Sequence, residues 1–148
     1  MTTTEIINKL PFSSPYLFVD ELHYVNETEC SGSFTYKEDL DFFKGHFKDY
    51  PVVPGAILTE TMAQIGLVSL GLYLISIDDS AKDSVSVATS YDVEFLKPVF
   101  PNDKVTVVSK IVYFRWGKLK AKVEMFNQDN IKVCQGVIAG ILVNKEQL

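Results

Sequence analysis

The chain has 148 residues, 47% hydrophobic and 12% aromatic, with 14 basic and 19 acidic side chains and a formal net charge of −5. That is enough apolar material for the core of one ordinary domain, 1–148, and too much for a disordered chain. A sequence pI of about 5.0 with scattered lysines excludes a general nucleic-acid binder and argues against adhesion to an anionic membrane.

The opening MTTTEIINKLPF has no basic n-region and no apolar h-region, so it does not read as a secretory signal, and a cytoplasmic location is expected. Thr4 to Leu10 predicts a short helix, with Ile6, Ile7 and Leu10 on one side and Pro11 after it. Tyr16 to Val25 alternates well enough for a strand, and Cys30 to Tyr36 for a second. Cys30 and Cys134 are far apart and join no Cys-x-x-Cys or Cys/His cluster. They read as two buried thiols of a reducing compartment, with no metal site.

Lys37 to Tyr50 is polar, aromatic and irregular. A central helix is expected from Pro54 to about Ser76, since proline is tolerated in a first turn. Ile57, Leu58, Met62, Ile65, Val68, Leu72 and Ile75 keep helical spacing, while Leu67, Leu70 and Leu74 fill the other faces. A helix apolar nearly all round is a buried one. Glu60, Gln64 and the lack of a flanking Lys/Arg asymmetry argue against membrane insertion. Asp78 to Asp83 predicts a solvated loop. Val85–Phe95, Lys104–Phe114, Lys118–Phe126 and Ile131–Val143 read as strands, and the last three, joined by short turns, as an antiparallel meander. The expected class is therefore α+β: an antiparallel sheet of five or six strands around one helix. Its open edges and far face favour a dimer.

The chemistry gathers in GHFKDYPVVPGAILTETMAQIG, Gly45 to Gly66. Glu60 and Gln64 are four apart, hence one turn from each other on one helix face. Gln64 can donate to the Glu60 carboxyl and orient it, and burial favours the protonated acid that general-acid catalysis needs. Gly55 falls in the first turn, where N–H groups lack intrahelical partners and the dipole favours developing negative charge. His46, in a loop pinned by Pro51 and Pro54, is a candidate general base near that helix start. Taken singly, each has a plain structural reading: an exposed histidine, a satisfied polar pair in a core, a helix entry. Taken together, they place a base, an anion site and an acid within a short stretch.

The same stretch resembles the signature of the FabZ-type β-hydroxyacyl-[acyl carrier protein] dehydratases, roughly G-H-F-P-x-x-P-x-x-P-G-x-x-x-x-E-x-x-A-Q. Here it reads Gly45-His46-Phe47, Pro51, Pro54-Gly55, Glu60 and Ala63-Gln64. Leu10-Pro11 with Pro15-Tyr16-Leu17-Phe18-Val19-Asp20 is similar to the family's L-P-H-R-Y-P-F-L-L-V-D, and Phe95 to Asp103 to its F-x-x-P-V-x-P-G-D corner. The resemblance implies a hot-dog fold and a homodimer, often assembled as a trimer of dimers, with His46 of one subunit facing Glu60 of the other. It implies reversible dehydration of a 3-hydroxyacyl thioester, on acyl carrier protein or coenzyme A, without metal or nucleotide cofactor. His46 and Glu60 would be catalytic. Gly55, Val52, Gln64 and Ala56 would surround the substrate, with the Val52 carbonyl holding His46, and Phe12, Tyr16, Phe42, Phe43, Tyr91, Phe95 and Phe100 would supply an acyl tunnel or plain core.

Four positions depart from the pattern. Lys48 replaces a proline, Phe12-Ser13-Ser14 a His-Arg-Tyr-like segment, Glu94 an arginine and Asn102 the corner glycine. Fewer basic groups weaken the usual docking of an acidic carrier, for which Lys48, Lys97, Arg115, Lys118, Lys120 and Lys122 are the substitutes. Two rival readings stand beside the dehydratase: a hot-dog thioesterase, which needs no histidine ahead of the helix, and a non-catalytic acyl-binding subunit.

Overall fold

In the computed structural model of the chain the described residues are 1–78 and 83–148. The loop expected over Asp78–Asp83 lies, at 79–82, outside them. Helix α1 spans Thr3–Lys9 and opens on a reciprocal cap: the Thr2 hydroxyl accepts from the Glu5 N–H, and the Glu5 carboxylate accepts from the Thr2 N–H. The long helix α2 runs from Gly55 to Ser76. The strands are β1 (Glu21–Val25), β2 (Glu29–Thr35), β3 (Ser84–Phe95), β4 (Lys104–Arg115), β5 (Lys118–Phe126) and β6 (Lys132–Asn144). They form one antiparallel sheet in the order β1-β2-β4-β5-β6-β3, so the expected meander β4-β5-β6 is present and β3 returns to close the far edge.

α2 packs against β2, β3, β4 and β5, and Met62, Ile65, Leu67 and Leu70 are fully buried on it. It is long and apolar enough to cross a membrane, yet 78% of its most apolar window is buried in the fold, as in a core helix. The fit is close because a glycine faces the sheet: a Cβ on Gly66 would lie 3.0 Å from the Ser109 Cβ and 3.2 Å from the Val123 methyls. Facing strands carry alternating apolar residues, such as Leu119, Ala121, Val123 and Met125 on β5, all fully buried.

Two expectations need correction. The strand predicted from Tyr16 begins only at Glu21. Upstream, the main chain bonds to a side chain of α2 instead of a neighbouring strand: the Phe18 N–H donates to Gln64 Oε1 at 2.8 Å, and the Tyr16 carbonyl accepts from Gln64 Nε2 at 3.0 Å. Nor is α2 regular. Gln64–Val68 is a π-turn, where the Ser69 N–H and Ser69 Oγ both donate to the Gln64 carbonyl, the latter at 2.8 Å, and the Cys30 thiol donates to Ile65 O at 3.2 Å. One departure from the family pattern explains itself: Asn102 has φ 70°, a conformation that asparagine tolerates best after glycine.

Candidate active site

His46 is held from both sides. Its N–H donates to Phe42 O at 3.0 Å, the turn left by the 3-10 segment Asp41–Lys44. The chain then folds back on itself, with the Val52 N–H donating to His46 O at 3.0 Å and His46 Nδ1 lying 2.9 Å from Val52 O. A carbonyl oxygen only accepts, so Nδ1 carries the hydrogen. In the neutral ring Nε2 is then the bare, basic nitrogen. The Phe47 ring stacks on the imidazole at 3.8 Å between centroids.

His46 opens onto a cleft of about 430 Å³ that Gly55 also lines, walled by Phe95 and Lys97. Gly55 is the first residue of α2, preceded by Pro54, and no side chain caps that end. Its N–H belongs to the turn without intrahelical partners, at the positive end of the dipole. A Cβ at Gly55 would meet the Phe95 ring at 2.9 Å, so glycine is what lets that ring lie against the helix start. Ala56 follows, exposed.

Glu60 is half-buried further along α2, and Gln64 is fully buried one turn on. Gln64 Nε2 donates to Glu60 Oε1 at 3.0 Å while its second hydrogen serves the Tyr16 carbonyl. Because the Phe18 N–H must meet an oxygen, the amide has one orientation, and it presents its N–H₂ to Glu60. Burial first, then the nearby Glu60 charge, hold the Tyr16 phenol above its ordinary pKa. Tyr91 is pushed the same way by burial, then by Glu60 and Tyr16. Glu60, Phe12, Ala63, Ser86 and Tyr91 line a second, mostly apolar cleft of about 430 Å³.

The structure thus groups His46, held by the Val52 carbonyl, and Gly55 on one cleft, and puts Glu60, backed by the buried Gln64, on another. Of the aromatics expected to wall a tunnel, Phe12 and Tyr91 line the Glu60 cleft and Phe95 the His46 cleft, while Phe43 is core. Of the expected basic residues, Lys97 lines the His46 cleft. Lys118, Lys120 and Lys122 alternate with buried residues on β5 and so face outward. The docking of the Tyr16 and Phe18 main chain on Gln64 was not foreseen. Among the described residues no group of three or more His, Cys, Asp or Glu side chains is placed to hold a metal ion.

The profile of the ApeI dehydratase family matches residues 22–137. The 3-hydroxyacyl-[acyl-carrier-protein] dehydratase FabZ of Geotalea uraniireducens (strain Rf4) is 34% identical over 119 residues, 79% of this chain and 80% of that one. Among solved structures, the dehydratase heterocomplex ApeI:P from Xenorhabdus doucetiae matches with a TM-score of 0.75 at 14% identity, covering 99% of this chain and 94% of that one. A thioesterase from Haemophilus influenzae matches with a TM-score of 0.72 at 13% identity, covering 97% and 92%. At such identities the two structures establish a common hot-dog fold and leave the chemistry to the site. On the match over residues 22–137, this chain belongs to the ApeI-like dehydratase family.

Proposed function

We propose that the protein dehydrates 3-hydroxyacyl thioesters, with acyl carrier protein as the carrier, to the trans-2-enoyl thioesters. The observation that carries this reading is the pinned His46, with Nε2 bare, on the same cleft as the uncapped helix start at Gly55. A thioester carbonyl held at the Gly55 N–H gains enolate character as Nε2 takes the C2 proton. Glu60, oriented by Gln64, gives its proton to the 3-hydroxyl. The C3–O bond breaks, the C2–C3 double bond forms and water leaves. The enzyme is left with protonated His46 and ionised Glu60, and one proton passed between them through solvent restores it. One oxyanion donor supplies about 3–4 kcal/mol of barrier lowering, and an acid–base group roughly 10²–10⁴-fold in rate.

In one chain His46 and Glu60 open onto different clefts, and β3 ends the sheet with Val87, Tyr91 and Phe95 exposed. A homodimer formed along that edge would bring the His46 cleft of one protomer against the Glu60 cleft of its partner, with a trimer of dimers as the larger assembly. Lys97 at the cleft wall suits an anionic carrier arm or an acidic carrier surface.

The test is a hydration and dehydration assay with crotonyl and 3-hydroxyacyl thioesters of several chain lengths, on acyl carrier protein and on coenzyme A. Interconversion of enoyl and hydroxyacyl thioesters without thiol release is expected, faster on the carrier protein. Release of free thiol with no enoyl thioester made or consumed would establish a thioesterase instead.

A further inference from the structure

The carbon that bears the 3-hydroxyl must sit at Glu60, so the acyl chain beyond it has to continue past that carboxyl. The mostly apolar cleft of about 430 Å³ that Glu60 lines is the place for it. On α2 the cleft reaches from Glu60 through Ala63 to Val68, roughly 12 Å along the helix axis. On β3 it reaches from Tyr91 back to Val85. Helix and strand run in opposite directions: Gly55 faces the Phe95 ring at one end, and Gly71 faces Ser86 at the other. Glu60 and Tyr91 therefore mark the near end of the cleft, and Val68 and Val85 the far end.

Leu148 also lines this cleft, and the main chain puts it at the far end. β6 pairs Asn144 with Ser84, and a 3-10 turn over Lys145–Gln147 then folds the chain back across the start of β3. That turn is built. Asn144 Oδ1 accepts from the Glu146 N–H at 2.9 Å, and the Lys145 N–H donates to Asp83 O at 3.1 Å. Leu148 itself is 76% exposed, so it stands between the cleft and solvent and takes little part in the core. It lies beyond residues 22–137, so the family match says nothing of this wall.

We propose that Leu148 is a specificity-determining residue that limits the length of the acyl chain. A chain that stops short of it is buried against α2 and β3. A longer one has to displace the leucine or project into water. This role rests on the dehydratase reading of the site.

The test is kcat/KM for 3-hydroxyacyl thioesters of rising chain length in wild type, Leu148→Ala and Leu148→Trp. Wild type should show a length beyond which kcat/KM falls, since a methylene that fits or fails to fit an apolar pocket is worth about 10- to 200-fold. At the first length past that limit, Leu148→Ala should raise kcat/KM about tenfold, and Leu148→Trp should bring the limit to a shorter chain. The 3-hydroxybutyryl thioester, too short to reach Leu148, should be turned over alike by all three. Binding of saturated acyl thioesters, which cannot be dehydrated, should show the same shifts without turnover. An identical limit in the three proteins overturns the proposal. So does a wild type with no limit, or a loss in Leu148→Trp that is as large for the 3-hydroxybutyryl thioester. Failure of the underlying reading is seen separately, as wild-type protein without dehydratase turnover on any thioester, and the binding series then still decides the role of Leu148.

Discussion

His46 has one nitrogen committed to a main-chain carbonyl and one left for chemistry, and Glu60 has its amide partner fixed by a buried N–H. Neither arrangement depends on packing those two side chains into the core, so their removal should separate activity from stability. His46→Ala and Glu60→Gln should each lower kcat by about 10²–10⁴-fold with thermal midpoints close to wild type, measured by turnover and calorimetry. Wild-type turnover in either variant would remove that residue from the mechanism. These residues were legible because their relation is local: Glu60 and Gln64 share a helix face by spacing alone, and His46 lies just ahead of the same helix. The docking of the Tyr16–Phe18 main chain was not, because nothing in a linear sequence says that a segment of strand-like alternation will set its carbonyl and N–H on a glutamine of a distant helix.

At the scale of the element, α2 does two jobs with two glycines. At its start, Gly55 leaves room for Phe95; Gly55→Val would push branched methyls into that ring and cost turnover while the rest of the helix stays folded. Midway, Gly66 rests against Ser109 and Val123 on the sheet. Neither backbone can withdraw easily, so Gly66→Val should destabilise the protein by about 1–3 kcal/mol through overpacking, read as a lower urea midpoint. An unchanged midpoint would mean that helix and sheet are less closely packed than these distances state. The helix and the later strands were legible from periodicity, since their apolar residues repeat at helical or alternate spacing. The π-turn was not, because its causes lie in contacts: the Ser69 hydroxyl on Gln64 O and the Cys30 thiol on Ile65 O.

At the scale of the whole molecule, two predictions concern assembly and pH. If each site takes His46 from one protomer and Glu60 from its partner, mixing inactive His46→Ala and Glu60→Gln chains through an unfolding and refolding step should restore about a quarter of wild-type activity, since half the dimers are mixed and each has one intact site. No recovery would place both residues in one protomer's site. The buried thiols contribute to the alkaline limit. Burial pushes Cys30 and Cys134 up to about 12 from an ordinary 9.0. A group whose folded pKa is raised stabilises the fold in its protonated form, so this contribution is whole below pH 9 and is lost as pH rises toward 12. Each thiol should remove about 1.4 kcal/mol per pH unit in that window, and urea midpoints at rising pH will show it. A flat midpoint from pH 9 upward would mean that the thiols are not sealed.

The π-turn also bears on how this protein can change by descent. A widened turn absorbs one extra residue between the front of α2, which carries Gly55, Glu60 and Gln64, and the rear, which anchors the fold. Deleting one residue within 64–68 would let that turn close to an ordinary α-helical one with the two halves in their present phase, whereas the same deletion in a regular α-helix would turn them by about 100°, the angle per residue. Lineages of this enzyme can therefore lose one residue in the middle of the helix while Glu60 keeps its orientation relative to the rear that anchors the fold.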